Sequence, residues 1–316
     1  MIPGGRVLRK FRQSRKGGKQ EDWKLYGIAG HPLAHSLSPS MQESAFGACG
    51  IRAFYLVFDF QPAGFRRVLR RLGKLPLSGF NVTVPYKEAV LPYLDSVSEE
   101  ARRVGAVNTV YRKGRRWFGT NTDVYGFVRS LTEEGKFRIR GSRVLVLGAG
   151  GACRAVIYGL ARQGAAFIAL ANRRPERAAR LVREFRKIFP RTHFESGPLE
   201  ASFLKPRLEN CSLTVNATSL GMKASDPELF PRAWIPGKKT GPKLFMDLIY
   251  SPRETRFLKG ARVRGHRTLN GVGMLVGQGA KAFEIWNGCK APVSVMRRAL
   301  ETALDARERN LRKKGS

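Results

Sequence analysis

Val144-Leu145-Val146-Leu147-Gly148-Ala149-Gly150-Gly151-Ala152-Cys153 is the stretch on which the fold of this chain turns. Four consecutive aliphatic residues predict a buried strand, and the glycines that follow it open a helix to about Arg162. In a dinucleotide-binding turn the first glycine, Gly148, makes the tight bend, and the second, Gly150, lets the backbone approach a pyrophosphate. Amides at the helix start then receive the negative charge. The third glycine of G-x-G-x-x-G is replaced by Cys153, which is still small enough for close packing of helix on sheet. A strand over 166–171 and a helix from Pro175 to Phe189 complete a βαβ unit.

The end of that second strand selects the cofactor. An acidic residue there holds the ribose hydroxyls of NAD. This chain carries Asn172-Arg173-Arg174-Pro175-Glu176-Arg177 instead. Guanidinium groups grip a 2′-phosphate in bidentate fashion, so NADP is the expected cofactor.

Working outward, strands are expected at 24–30, 54–60 and 79–84, the last stopped by Pro85. Helices are expected at 39–47, with Ser38 as N-cap, at 64–72, and from 85 through Leu94. Short alternating β and α units predict a parallel sheet here too. Further strands fall at 213–216 and 244–248, and two helical stretches close the chain at 273–287 and 292–312. The expected organisation is a basic disordered tail over 1–22, a first domain over 23–128, a dinucleotide domain over 129–268 and C-terminal helices over 269–312. The hinge falls near 126–140. The fold class is therefore α/β, with two α/β domains.

Composition narrows the class further. The 316 residues are 42% hydrophobic and 10% aromatic, which suits a globular enzyme. No apolar run approaches the roughly 18 residues of a membrane span, and no secretory signal pattern follows the basic N-terminus. Cys49, Cys153, Cys211 and Cys289 are scattered without a CxxC pair. No disulfide framework and no metal site are expected, and a reducing, cytoplasmic setting is.

The charge stands out: 58 basic residues against 24 acidic ones give +34. Only seven of those basic residues lie in the first twenty, so the excess belongs to the whole chain. It favours anionic small-molecule substrates and nonspecific polyanion binding. No recognition motif accompanies it, so no specific nucleic-acid partner is expected.

Several polar residues sit where a strand or turn would normally be bland. Ser36 and Ser38 flank Leu37 and could bind one carboxylate together. Thr83 and Lys87 bracket Val84-Pro85-Tyr86. Asn108 lies in Gly105-Ala106-Val107-Asn108-Thr109, and Asp123 in Thr120-Asn121-Thr122-Asp123. Taken singly, these could be a helix cap, a surface charge and turn formers.

Together, these segments resemble the shikimate dehydrogenase family. The match runs through Gly30-His31-Pro32-Leu33-Ala34-His35-Ser36-Leu37-Ser38-Pro39, Asn81 to Lys87, Gly105 to Thr109 and Asn121-Thr122-Asp123. It continues through Gly148 to Ala155, Asn216 to Met222 and Asn270 to Gln278, in the family's order from about Leu25 to Asn287. The resemblance implies reduction of 3-dehydroshikimate to shikimate with NADPH by a monomer or homodimer. It also implies an active site in a cleft between two domains, with the C-terminal helices returning to the first.

By that resemblance, Ser36 and Ser38 bind the substrate carboxylate, and Thr83, Lys87, Asn108, Asp123, Tyr250 and Gln278 surround the ring hydroxyls. Gly148, Ala149, Gly150, Gly151 and Ala152 hold the pyrophosphate. Asn172, Arg173, Arg174 and Arg177 take the adenosine phosphate. Thr218 lies near the cofactor's phosphates, and Leu248, Gly271 and Met274 near the nicotinamide. Gln42 and Glu43 depart from the family's usual His and Asn.

The reaction sets the acid–base roles. A hydride arriving at a carbonyl carbon leaves charge on oxygen that needs a proton. Lys87 is the expected acid/base, with Asp123 as its orienting partner. A helix start at Lys87 would disfavour its positive charge. A quinate-preferring or dual-specificity enzyme is the nearest alternative, and an inactive polyanion-binding protein a remote one.

Overall fold

The computed structural model describes residues 23–237 and 241–314, the last four as backbone only. The basic tail expected over 1–22 lies outside the described residues. The chain divides into two compact units: one takes the chain up to Thr122 and again from Gln278, and the other is Asp123–Gly277.

The first unit is built on β1 (Lys24–Gly30), β2 (Ala53–Asp59), β3 (Gly79–Val82), β4 (Ser96–Val97), β5 (Thr109–Lys113) and β6 (Arg116–Thr120). The sheet order is β2-β1-β3-β5-β6-β4. Its helices are α1 (Ser38–Ala48), α2 (Phe65–Gly73) and α3 (Glu99–Val104). Leu25, Leu56, Phe58, Phe80, Val82, Val107 and Val110 form its core.

The second unit carries β7 (Arg143–Leu147), β8 (Phe167–Ala171), β9 (His193–Gly197), β10 (Leu213–Asn216), β11 (Leu244–Asp247) and β12 (Arg267–Leu269). They form one parallel sheet in the order β12-β11-β10-β7-β8-β9. Around it run α4 (Asp123–Arg129), α5 (Gly151–Arg162), α6 (Pro175–Ile188), α7 (Ala201–Asn210) and α8 (Arg256–Val263). The division between units falls inside α9 (Val272–Asn287), and α10 (Val293–Lys314) packs on α1 in the first unit.

Four sequence expectations need correction. The first sheet is mixed, because β5 pairs antiparallel with both β3 and β6. A tight turn at Gly114 (φ +59°) joins β5 to β6, and a connection that short permits only an antiparallel pair.

The helix expected from 85 to Leu94 is a series of turns ending in a 3-10 helix at Leu91–Tyr93. Pro85 and Pro92 each lack an amide to donate, and turn bonds such as Tyr86 N–H to the Thr83 carbonyl (2.9 Å) take over. Third, α1 begins at Ser38 itself, with Leu37 in the cap position and no side-chain cap bond.

Finally, the expected hinge over 126–140 is largely helical. There α4 runs into a wider helical turn, Ser130–Glu134, and α4 packs on α5. The unit boundaries accordingly fall at 122/123 and 277/278, against the 128/129 and 268/269 read from sequence.

Candidate functional site

In the first unit, the polar residues gather where β1 and β3 end. The Thr83 amide donates to the Ala29 carbonyl (2.9 Å), and the His31 amide to that of Val84 (2.9 Å). Gly30 permits this approach, since a Cβ there would stand 2.4 Å from the Thr83 methyl. The next loop is tied down by Asp59, which accepts from the Leu33 amide and pairs with His31 Nδ1, each at 2.7 Å. Desolvation pushes the Asp59 carboxyl upward, but the bonds from His31 and Leu33 outweigh it and hold the carboxyl below its ordinary value.

That loop delivers Ser36 and Ser38 to the start of α1. The Ser38 amide donates to Ser36 Oγ (3.4 Å), and the Ser38 side chain lies by the Tyr55 phenol. Complete burial holds that phenol protonated, and it donates to Asn81 Oδ1 (2.7 Å). Two hydroxyls thus stand at the amide end of an eleven-residue helix, where negative charge is favoured. Because Ser38 makes no cap bond, the purely structural role expected of a capping serine does not apply.

Asn108 is the centre of a buried amide–hydroxyl network. Its Oδ1 accepts from the Thr122 amide (2.7 Å) and from the hydroxyls of Thr109 and Thr122 (3.1 and 3.2 Å). Its Nδ2 donates to Thr122 Oγ1 (3.0 Å) and Gln278 Oε1 (3.3 Å). Asn81 Nδ2 adds a bond to the Asn108 carbonyl (3.1 Å). A network satisfied in this way fixes its members rigidly.

Lys87 is held by its backbone, whose carbonyl accepts from the Val107 amide (2.8 Å). The preceding Tyr86 is buried, stacks on Phe60 (4.8 Å) and on Phe65 (4.6 Å), and donates its hydroxyl to the Phe60 carbonyl. No helix starts at Lys87, so no helix dipole bears on its charge, contrary to the sequence expectation. Asp123 is buried and opens α4, where a helix N-terminus favours negative charge. Lys87 is thus bonded to Val107, and Asp123 follows the Thr122 that is bonded to Asn108.

The second unit supplies the dinucleotide turn. Gly148 has φ +115°, and a Cβ there would press on the Ala217 carbonyl at 3.0 Å. Beside Gly150, by contrast, a Cβ would meet nothing within 4 Å, which leaves room at the start of α5 for a phosphate group. No acidic residue lies in the first turn of α5, and no side chain caps it. Cys153 is buried in the third glycine's place and donates Sγ–H to the Gly148 carbonyl (3.1 Å).

At the end of β8, Asn172 Nδ2 donates to the Arg174 carbonyl (2.9 Å), shaping a turn on which Arg173, Arg174 and Arg177 are exposed. These residues fit the adenosine end of NADP. Gly271 approaches the Leu248 carbonyl so closely that a Cβ would lie 2.1 Å from it. Met274 is buried one turn further along α9, and Tyr250 is half-buried.

Sequence reasoning missed the polar residues beneath these groups. Asp247 is fully buried at the end of β11. Its oxygens accept from Asn216 Nδ2 (3.0 Å), the Ile249 amide (3.0 Å) and the Thr255 hydroxyl (2.7 Å). Burial pushes its carboxyl up to about 6. Asn216 Oδ1 in turn accepts from the amide and hydroxyl of Thr218 (3.0 and 2.8 Å). This linkage joins the Thr218 loop to the Leu248–Tyr250 segment, and the signal was a charged residue ending an apolar strand. Gln42, an oddity in sequence, is fully buried and donates to the Gly279 carbonyl (3.0 Å).

A parallel dinucleotide-type sheet in the second unit, and an anion-ready loop, a lysine and a rigid amide cluster in the first, define a nicotinamide-dependent oxidoreductase. Family profiles agree. "Shikimate dehydrogenase substrate binding domain" matches residues 28–110, "Shikimate / quinate 5-dehydrogenase" residues 130–254, and "Shikimate 5'-dehydrogenase C-terminal domain" residues 271–301. The chain is 43% identical to shikimate dehydrogenase (NADP(+)) of Geobacter metallireducens, over 89% of this chain and 97% of that one. Crystal structures of shikimate dehydrogenase from Aquifex aeolicus (39% identity, TM-score 0.78, covering 88% of this chain and 97% of that one) are similar. So is the Thermus thermophilus enzyme in complex with NADP(H) and shikimate (36% identity, TM-score 0.77, covering 89% and 100%). The chain belongs to the shikimate dehydrogenase family.

Proposed function

We propose that this chain reversibly reduces 3-dehydroshikimate to shikimate with NADPH, in the cytoplasm. The observation that carries the proposal is the rigid Asn108–Thr122–Gln278 cluster, with Lys87 pinned one residue away. A ring bearing several hydroxyls needs such a set of fixed donors and acceptors. The four free thiols agree with a reducing compartment, and among the described residues no helix is long and apolar enough to cross a membrane.

Bound NADPH supplies a hydride to the carbonyl carbon. As charge builds on the carbonyl oxygen, the Lys87 ammonium donates a proton to it; in reverse, the neutral amine accepts one from the hydroxyl. Asp123 accepts a hydrogen bond from a substrate hydroxyl and orients it. Ser36 and Ser38 receive the substrate carboxylate, and Thr83, Asn108, Tyr250 and Gln278 hold the ring hydroxyls. Gly148 to Ala152 and Thr218 bind phosphates, Arg173, Arg174 and Arg177 the 2′-phosphate, and Leu248, Gly271 and Met274 flank the nicotinamide.

The test is absorbance of reduced nicotinamide with shikimate or quinate, each offered with NADP and NAD. Shikimate-dependent reduction of NADP is expected to exceed every other pairing. Faster turnover of quinate would reassign the substrate, and faster reduction of NAD would remove the role given to the arginines. No turnover by a folded, NADP-binding protein would overturn the proposal.

A further inference from the structure

Two exposed cysteines, far apart in the chain, end up together. Met41 and Gln42 of α1 lie against Gly279 of α9. Gln42 bonds the Gly279 carbonyl, and a Cβ on Gly279 would stand 2.2 Å from the Met41 methyl. One turn on, Phe46 stacks on Phe283 (5.7 Å). The contacts advance together, so the two helices run side by side in the same direction and end at the same level.

Both then stop on a left-handed glycine with a cysteine next to it. Cys49 precedes Gly50 (φ +64°), and Cys289 follows Gly288 (φ +69°). Tyr26 closes the gap between them: its ring stacks on Phe46 (5.1 Å) and Trp286 (4.8 Å), and its hydroxyl bonds Asn287 Oδ1 (3.0 Å). The two thiols lie near enough for Cys289 to bear on the charge of Cys49, and both cysteines are exposed. Slight desolvation and then the neighbouring Cys289 raise the Cys49 thiol above its ordinary value, as expected of thiols in contact.

We propose that Cys49 and Cys289 form a reversible-oxidation site, converted to an intramolecular disulfide by small-molecule disulfides such as oxidised glutathione. One protein thiolate attacks the oxidant and expels a thiolate from it. The second protein thiolate then attacks the mixed disulfide, forming the Cys49–Cys289 bond and expelling the other thiolate. The two protons lost by the protein end on the two reduced oxidant thiols, so two electrons pass from protein to oxidant.

The bond closes a loop that contains the whole second unit and joins the two separate segments of the first. Crosslinking so long a loop restricts the unfolded chain strongly. The crosslink lies at the C-terminal ends of α1 and α9, whereas Ser38 begins α1 and Gln278 lies in the first half of α9. It therefore stabilises the first unit and leaves turnover at moderate temperature unchanged.

The experiment incubates the native full chain with oxidised glutathione at mildly alkaline pH, then counts thiols under denaturing conditions and maps non-reduced peptides. Two thiols per chain are expected to disappear into a Cys49–Cys289 peptide, while buried Cys153 and Cys211 stay reduced. Tm is expected to rise by on the order of 5 °C, reverting with dithiothreitol. Cys49→Ser and Cys289→Ser should each lose both the crosslink and the shift. Glutathione adducts without a crosslink, a disulfide between two chains, unreacted thiols or an unchanged Tm would each overturn the proposal.

Discussion

The two sheets of this molecule have equal strand numbers and unlike chemistry. In the second unit, strands such as Val144–Leu147 and Phe167–Ala171 are unbroken apolar runs covered on both faces. The groups proposed there for the cofactor are backbone at the glycine turn and helix start, and side chains only at the exposed arginine loop. In the first unit the strands end in a buried polar cluster, Asn81, Asn108, Thr109 and Thr122, and function lies in side chains. In the proposed reaction, the pyrophosphate is met chiefly by residues that leave space, and the substrate by residues that fill it.

The largest expected effect comes from violating that space. Gly271→Ala would drive a Cβ into the Leu248 carbonyl and should lower stability by at least about 3 kcal/mol in urea unfolding, with NADP binding lost. Stability at the wild-type level would show that the contact relaxes freely.

Next comes pH. Asp247 keeps its proton up to about 6 in the folded protein but only to about 3.8 when unfolded. Between those values the native state binds the extra proton, so stability falls as pH rises, by about 3 kcal/mol in total. Asp247→Asn keeps an oxygen for Asn216 and Ile249 and should flatten the fall in Tm across that window. An equally steep fall in the variant would exonerate Asp247.

Asn108→Ala tests the polar half. It leaves the Thr122 amide and the Thr109 hydroxyl without their acceptor and should destabilise by about 2 kcal/mol. It should also raise KM for shikimate while NADP affinity holds, as isothermal titration would check. The smallest effect belongs to Arg173→Ala: roughly tenfold weaker NADP binding with NAD binding unchanged, the loss of one charge-assisted contact. Equal weakening of both cofactors would place the 2′-phosphate elsewhere.

The same contrast explains what could be read from sequence. A glycine turn after Val144–Leu147 has few alternative structures, so the parallel sheet, the cofactor loop and the arginine turn were all legible. The first unit's mixed pairing was not, since it depends on the turn at Gly114, and strand patterns do not reveal partners. The helix expected after Pro85 does not form, because Pro85 and Pro92 each remove an amide donor and turn bonds take over. Asn81 and Asp247 did not stand out because each is also bonded to a residue on another strand, Tyr55 for Asn81 and Asn216 for Asp247.

In the proposed reaction labour is divided, with proton transfer by Lys87 in the first unit and cofactor binding in the second. The most direct test compares Lys87→Ala with the wild type for shikimate turnover and, separately, for NADP affinity. A fall in kcat of roughly 10²–10⁴-fold with NADP affinity unchanged is expected. Turnover within a few-fold of the wild type, in a variant that is folded and binds NADP, would contradict it.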